Sequence, residues 1–337
     1  MLRATAGPLV DSHDLVMFDL DGVVYIGETA VPGAPDQLRA LRDTGVHVAF
    51  ITNNASRPPD AVVQRLAAVG VEASPADVVT SAQAAAHVLR TRFGSDAAIA
   101  VLGAEGLVEA VREEGLEPRD VDDADVVAIV SGYGPDVVWR DVMRAAVRIR
   151  GGLPWVASNT DRTLPTHDGP APGHGVLVDM IARFADVTPE VAGKPERPLL
   201  DETIRRVGGD RPLMVGDRID TDIEGARNVS VASLLVMTGV TGLDELVSAA
   251  PRLRPTHVST DLTGLFAVHG CPERRDAGWE LGGWTARVDD GVLAVTGSGA
   301  VDDWWRVVAT AGWHHLDEHG TPVDTTGSVP PGTAPER

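Results

Sequence analysis
The sequence predicts an α/β protein: a core built on a parallel sheet covered on both faces, interrupted by an inserted α/β unit and followed by a small α+β appendage. Three observations predict it. Short apolar runs alternate with amphipathic stretches of helical length from Leu15 to Phe266, the pattern of repeated strand–helix units. Several of these runs stop abruptly at clusters of Asp, Thr and Asn, where ligands collect in open α/β sheets. Five of the seven tryptophans fall after Gly270, so the last part of the chain differs in kind from what precedes it.

The first element is LVMFDLDGVVY, Leu15 to Tyr25. Apolar residues on successive positions are expected of a strand buried on both faces. Asp19 and Asp21 sit at its end, and a spacing of two lets both face one side. One carboxylate could then attack an electrophile while the other handles the proton of the leaving group. Gly22 permits a tight turn and lets a backbone N–H approach an anion. The same string also fits a plain strand followed by an Asx turn.

A helical stretch from Gly33 to Thr44 stops at Gly45, and a strand from Val46 ends in Thr52, Asn53 and Asn54. These three read either as a polar turn before the helix starting near Pro58 or as a clamp for phosphate oxygens. Beyond Pro75 the alternation continues through VVT, SAQAAAHVLRTRF, AIAVLG, AEGLVEAVREEG, VVAIVSGYG, DVVWRDVMRAAVRIR and PWVAS. It predicts a second α/β unit, residues 84–188, inserted into a core formed by 1–83 and 189–269. The loop from Ser158 to His174 is rich in Pro, Gly and polar residues, and such loops often carry function. Its His167 and His174 lack carboxylates at metal-ligand spacing and read as ordinary loop residues.

Lys194 comes just ahead of a helix that has Pro195 suited to its first turn. It is the only lysine in the chain, which suggests that a compact ammonium is required there. The strand PLMVG follows, with Asp217, Asp220 and Asp222 at its end. Their spacing, without a closing glutamate, does not fit an EF-hand calcium loop; a hard divalent cation such as Mg²⁺, shared with Asp19, fits better. ASLLVMTGV and THVSTDLTGLF supply the last strands of the core. In the region 270–320, GWELGGWTARVDDGVLAVTG reads as a hairpin turning at Asp289, Asp290 and Gly291, and VDDWWRVVATAGWHHL as a short helix or strand. So short a region is expected to dock on the main body or on a second subunit. Residues 321–337 are rich in Pro, Gly and Thr and are expected to be disordered.

Composition excludes several classes. With 337 residues and a 43% hydrophobic share the chain is globular and large enough for more than one compact unit. It has no apolar run of bilayer length, and its first residues lack the apolar core of a secretory signal, so a cytoplasmic location is expected. The single cysteine, Cys271, agrees with a reducing compartment and excludes a cysteine-built metal site. A formal charge of −20 argues against nucleic acid or an anionic membrane as partner. An anionic substrate therefore needs a locally positive pocket, from a metal ion or a well-placed base.

Taken in order, Asp-x-Asp-Gly, Thr-Asn-Asn, a lysine before a helix and Gly-Asp-x-x-x-Thr-Asp resemble the motifs of the haloacid dehalogenase superfamily. The strings DLDGVVY, ITNN, GKP, GDRIDTDI, LGAEGL and DGPAPGHG resemble its NagD-like, p-nitrophenyl-phosphatase branch. The resemblance covers roughly residues 14 to 268. It implies a Rossmann-like three-layer core with an inserted α/β cap, and a Mg²⁺-dependent phosphatase acting through an aspartyl phosphate. Position by position, it implies Asp19 as nucleophile and Asp21 as general acid, then base. It implies Mg²⁺ held by Asp19, the Asp21 carbonyl and Asp217, with Asp222 ordering its waters. Gly22, Thr52, Asn53, Asn54 and Lys194 would bind the phosphoryl group. The layout also resembles an actinobacterial group of glycerol-3-phosphate phosphatases with a C-terminal region likened to an atypical acetyltransferase. The chain shows no acetyl-CoA pyrophosphate loop, only GSGA near Gly297.

The partner is thus expected to be a small phosphorylated metabolite, and the protein a homodimer. Other substrates within the class are pyridoxal phosphate, nucleoside monophosphates and sugar phosphates; a vestigial phosphatase serving as a binding scaffold is the reading from another class. A flat aromatic leaving group would need stacking partners, and the inserted unit offers Tyr133, Trp139, Trp155, Phe93 and Phe184. Helical spacing with Val138 and Val142 places Trp139 in the core, and Trp155 lies within a strand. Asn159, Asp161, Arg162 and His167 could instead meet the hydroxyls of a small polyol, which favours glycerol 3-phosphate.

Overall fold
The apolar run Leu15–Phe18 becomes a strand buried along its whole length, as a strand covered on both faces must be. In the computed structural model, which describes residues 2–166, 169–276 and 278–332, it belongs to the first of two compact units, Met1–Val48 with Gly209–Arg337. The second unit is Ala49–Gly208.

In the first unit, strands His257–Ser259, Ala232–Val236, Pro212–Gly216 and Leu15–Phe18 lie side by side in that order, all parallel. Parallel neighbours require crossovers, and the amphipathic stretches supply helices such as Ala34–Asp43 and Glu224–Asn228. The strand His47–Thr52 runs from this unit into the second. There its end pairs in parallel with Val78–Thr80. The second unit also holds a five-stranded, wholly parallel sheet in the order Glu190–Val191, Trp155–Ala157, Ala128–Ser131, Ala98–Leu102, Glu117–Arg119. Helices Trp139–Arg150 and His174–Ala185 bury Val142, Ala145, Ile149, Val178 and Ile181 in one core with this sheet.

Three local readings are corrected. Trp155 is buried as expected, but Trp139 is 60% exposed, although it shares a helix face with buried Val142. The loop beginning at Ser158 contains an antiparallel pair, Thr163–Thr166 with Gly169–Pro172. An isolated two-stranded ribbon tolerates the prolines that a central strand would not. The end of the chain is not unstructured from Thr321: Val323 is buried, the Asp324 N–H donates to the Gly291 carbonyl at 2.8 Å, and the Leu293 N–H donates to the Asp324 carbonyl at 2.8 Å. An apolar side chain and two ladder bonds thus hold a stretch whose composition reads as loose.

The appendage is a four-stranded antiparallel meander, Glu273–Arg275, Gly278–Leu281, Trp284–Asp289 and Val292–Gly297, followed by the helix Val301–His319. The expected turn is present, with Asp290 and Gly291 both at positive φ (50° and 82°), as a tight hairpin requires. The C-terminal helix is nineteen residues long and settles the helix-or-strand question. It packs Trp304, Trp305, Val307, Val308, Ala311 and Trp313 into one cluster with Leu235, Leu246, Val247 and Val258 of the parallel-sheet body. Docking on the body is thus the observed solution. The first turn of this helix carries two aspartates, which suit its dipole. Asp302 accepts from Ser259 Oγ (2.8 Å), Thr260 N (2.7 Å) and Thr260 Oγ1 (2.6 Å), and Asp303 accepts from Arg306 (2.8 Å).

Arg306 is itself buried and donates to the Val258 carbonyl at 3.2 Å and to Nδ1 of His269 at 3.0 Å. A guanidinium can only donate, so His269 carries its proton on Nε2 and gives it to the Gly264 carbonyl at 2.7 Å. His257 meets the edge of the same ring, 4.8 Å between centroids. Burial, then the neighbouring His269, His13 and the Arg306 and Arg3 charges, lower the His257 pKa from 6.5 to about 3; burial also lowers that of His269. A histidine whose folded pKa lies below its unfolded value contributes stability that is complete above pH 6.5 and is lost as the pH falls toward 3. We therefore expect stability to decline between pH 6.5 and 5 by on the order of 2 kcal/mol through His257 alone. The check is the pH dependence of the melting temperature, which His257→Leu should flatten over this window.

Candidate active site
Asp19 leaves the end of Leu15–Phe18 with its N–H bonded to the Val215 carbonyl (2.9 Å), which ties it to the neighbouring strand. That strand, Pro212–Gly216, delivers Asp217 at its own carboxyl end, and a single wide turn, Ile219–Ile223, brings Asp222 back. The carboxylate oxygens of Asp19, Asp217 and Asp222 lie within 4.8 Å of one another; Asp217 and Asp222 are fully buried. Asp220, equally eligible in the sequence, is exposed and turned onto Arg218 at 2.8 and 3.0 Å. Asp21 is exposed, and the Gly22 N–H donates to the Tyr25 carbonyl at 2.8 Å, closing the turn.

Glycines make the room for these carboxylates. A Cβ on Gly22, which has φ +87°, would stand 2.4 Å from Asp217 Oδ2; on Gly239 it would stand 2.0 Å from the same atom, and on Gly216 2.2 Å from Asp222 Cβ. Main-chain donors then orient the acids. The Val240 N–H gives 2.7 Å to Asp217 Oδ2, and the Arg218 N–H gives 3.1 Å to Asp222 Oδ2. Thr238 Oγ1 donates to the Gly22 carbonyl at 2.6 Å, joining the loop after Ala232–Val236 to the turn after Leu15–Phe18. Three carboxylates gathered in a mostly buried place repel one another, and an all-oxygen donor set of this kind suits a hard divalent cation. The residues present therefore fit Mg²⁺.

In the second unit, Asn53 is the hub. Its Nδ2 donates to Asp161 Oδ1 and to the Lys194 carbonyl, both at 3.0 Å, while its Oδ1 accepts the Lys194 N–H at 2.8 Å. Its own carbonyl accepts from Asn159 Nδ2 (2.7 Å) and Ser81 Oγ (2.6 Å). Both carboxamide protons are thus used internally. The structure gives the Asn53 side chain the task of holding the Lys194 main chain rather than of meeting an anion. Gly193 permits the approach, since a Cβ there would stand 2.7 Å from Asn53 Oδ1. Lys194 is buried, as is Thr52, whose Oγ1 accepts the Asn54 N–H at 3.1 Å. Asn54 shapes the turn by accepting from the Ser56 N–H (2.9 Å) and hydroxyl (2.7 Å).

Of the four residues expected to read the leaving group, Asn159 and Asp161 join the Asn53 cluster. Arg162 is exposed and paired with Asp179 at 3.0 Å, and His167 lies outside the described residues. His174 is a buried residue at the start of its helix, 3.2 Å from Ser131 Oγ, with its pKa lowered by burial to about 4. A second group with metal-ligand chemistry, His87, Glu114 and Glu202, is already neutralised. Arg205 and Arg206 donate to Glu202, and Arg206 reaches Glu114 at 3.0 Å. Burial works to raise the Glu202 pKa, but the arginine hydrogen bonds outweigh it and hold the carboxyl below its ordinary range. Sequence reasoning missed Ser81, Gly193 and the Thr238–Val240 loop, which act through a hydroxyl, missing Cβ atoms and a backbone N–H.

Acids gathered at the ends of adjacent parallel strands, as here, suit a hydrolase that works with a divalent cation. Residues 16–117 match the family model of haloacid dehalogenase-like hydrolases and residues 191–265 that of HAD-hydrolase-like proteins; the chain belongs to the haloacid dehalogenase-like hydrolases. It is 38% identical to the D-glycerol 3-phosphate phosphatase of Mycobacterium tuberculosis over 94% of this chain and 90% of that one. A crystal structure of glycerol phosphate phosphatase from that organism, in complex with magnesium, superposes with a TM-score of 0.84 at 36% identity, covering 94% of each chain. The acid sugar phosphatase of Staphylococcus haemolyticus is 33% identical but spans 73% of this chain with 92% of its own length.

Two outcomes are expected. Gly239→Ala should remove the rise in melting temperature on adding Mg²⁺, because its methyl group would displace the Asp217 carboxylate. Asp161→Ala should lower kcat/KM for p-nitrophenyl phosphate and for alkyl phosphates by similar factors, since it loosens Asn53; an effect confined to one leaving group would place Asp161 against substrate instead.

Proposed function
We propose that the protein is a Mg²⁺-dependent phosphatase of small phosphate monoesters, with glycerol 3-phosphate as its substrate and an aspartyl phosphate on Asp19 as its intermediate. The observation that carries the reading is the convergence of half-buried Asp19 with buried Asp217 and Asp222. Similarity over nearly the whole chain to a protein named for glycerol 3-phosphate supports the substrate. The exposed Trp139 removes one argument against a flat aromatic leaving group, so pyridoxal phosphate and nucleoside monophosphates stay in the comparison set beside sugar phosphates.

In this mechanism an Asp19 oxygen attacks phosphorus as the bond to the leaving alkoxide breaks, and the Asp21 carboxyl gives that alkoxide its proton. Asp21, now a carboxylate, takes a proton from water, whose oxygen attacks the phosphorus of the acyl phosphate. Inorganic phosphate leaves and the Asp19 carboxylate is restored. Asp19, Asp217 and the Asp21 carbonyl, with Asp222 supporting them, would hold Mg²⁺, which would supply positive charge to the phosphoryl oxygens. Lys194 and Thr52 would orient the same group and Gly22 would offer its turn, while Asn53 holds the Lys194 main chain and the Asn54 N–H holds the Thr52 hydroxyl. The inserted residues 84–188 would read the leaving group, and the protein would act as a homodimer.

Asp19→Asn should abolish turnover while leaving the melting temperature within a few degrees, because the amide is nearly isosteric and is no nucleophile. The side-by-side test is kcat/KM for glycerol 3-phosphate, pyridoxal phosphate, a sugar phosphate and a nucleoside monophosphate, with and without EDTA. Glycerol 3-phosphate should lead and EDTA should silence all four. A win for another ester would replace the substrate and leave the chemistry standing.

A further inference from the structure
The tryptophan-rich appendage has no part in the chemistry above, yet it touches the segment that presents a hydrogen bond to a metal ligand. The loop after Ala232–Val236 clasps the carboxylate site from one side: Thr238 holds the Gly22 carbonyl, the Val240 N–H holds Asp217 Oδ2, and the Thr241 N–H donates to the Asp217 carbonyl at 3.1 Å. This loop runs directly into the short helix Leu243–Val247. Five residues make barely more than one turn, so such a helix is held by what packs on it.

What packs on it is the appendage. Trp313 Nε1 of the C-terminal helix donates to the Leu246 carbonyl at 2.6 Å, and Gly312 lets that helix approach so closely that a Cβ would stand 2.5 Å from Val247 Cβ. Trp313 is fixed in turn under Arg254, whose guanidinium lies 5.3 Å from its ring and is bidentate to Asp317 at 2.7 Å. A second arm comes from the end of the chain. Thr325 Oγ1 donates to the Asp244 carboxylate, and Ser328 Oγ to the Leu293 carbonyl at 2.8 Å, which ties this arm to the meander. Beside the Thr325 bond is an open recess of about 450 Å³, with Val240, Leu243 and Asp244 among its walls on one side and Thr325, Ser328 and Val329 on the other. The hydroxyl–carboxylate bond is thus a polar link across the edge of that recess, beside the apolar cluster that Val323 shares with Leu246 and Val247.

We propose that the appendage braces the metal site: Trp313 and Thr325 are positioning residues that fix Thr238–Val247 and thereby the Val240 N–H on Asp217. The brace sets how tightly the site holds Mg²⁺. It rests on the Mg²⁺-dependent reading of the Asp19, Asp217 and Asp222 cluster. Neither residue touches the reacting group, so turnover at saturating metal is independent of them.

The test uses the full chain, Thr325→Val, Thr325→Ser, Trp313→Phe and a chain ending at Gly320. Thr325→Val deletes one hydroxyl at the surface and puts folding at no risk, whereas the shortened chain also loses buried Val323. Two quantities are read on EDTA-treated protein: the rise in melting temperature on titrating Mg²⁺, and the Mg²⁺ concentration giving half-maximal p-nitrophenyl phosphate turnover. Thr325→Val and Trp313→Phe should each need about three- to tenfold more Mg²⁺ in both, the range that a lost hydrogen bond of ordinary strength corresponds to. Their kcat and KM at saturating Mg²⁺ should match wild type, and Thr325→Ser should restore the wild-type response. Unchanged Mg²⁺ titrations in the point variants, beside a responsive wild type, overturn the brace alone. A wild-type chain indifferent to Mg²⁺ overturns the proposed function and the brace with it.

Discussion

Three carboxylates share a space less than 5 Å across, and much of the surrounding structure is explained by the need to keep them there. At that separation each pair of charges repels by on the order of 3–4 kcal/mol if the effective dielectric is about 20, which is comparable with the whole stability of a small domain when summed. Flexible supports would let the acids part. Parallel strands do not, because Asp19 and Asp217 are continuations of paired backbones, with Asp19 N–H already bonded to Val215. Gly22, Gly216 and Gly239 are needed for the same reason, since any Cβ at these positions would occupy carboxylate space. A divalent cation turns the repulsion into attraction, so the fold and the chemistry require the same arrangement.

Asp19 and Asp217 were legible in the sequence because each follows an apolar run, and a strand end is a place that periodicity can locate. Periodicity could not separate Asp217 and Asp222 from Asp220. The distinction rests on a wide helical turn that carries Asp222 inward and on Arg218, which draws Asp220 to the surface. Asn53 shows another limit. Its residue type suits an anion, but its partners Asp161 and Lys194 lie 108 and 141 positions away, and no local pattern announces them. Trp139 fails for a related reason: helical spacing tells which residues share a face, not whether a neighbouring element covers that face along its whole length.

In the appendage, Asp289-Asp290-Gly291 identified its hairpin because a tight turn demands positive φ at two positions, and few residues tolerate that. The first two strands of the meander were harder, since glycine pairs and short polar runs resemble loops. VDDWWRVVATAGWHHL stayed open between helix and strand because aromatic and β-branched residues dominate it. Tertiary packing decided the matter, burying Trp304, Val307, Val308 and Ala311 against Leu235 and Val258.

That same helix bears on the resemblance to an atypical acetyltransferase that the layout of this region leads us to expect. A pyrophosphate bound at a helix start requires unclaimed N–H groups and no competing negative charge. The helix Val301–His319 instead opens with Asp302 and Asp303, and both point their carboxylates into the protein, one onto Ser259 and Thr260 and one onto buried Arg306. The first turn of the helix therefore carries two negative charges, both engaged in contacts of the docked helix. Arg306, His257 and His269 continue that docking surface inward, His269 Nδ1 accepting from the guanidinium while burial lowers the pKa of both imidazoles. Asp302 and Arg306 hold the appendage against His257–Ser259, a strand of the same parallel sheet whose other strands lead to Asp19 and Asp217.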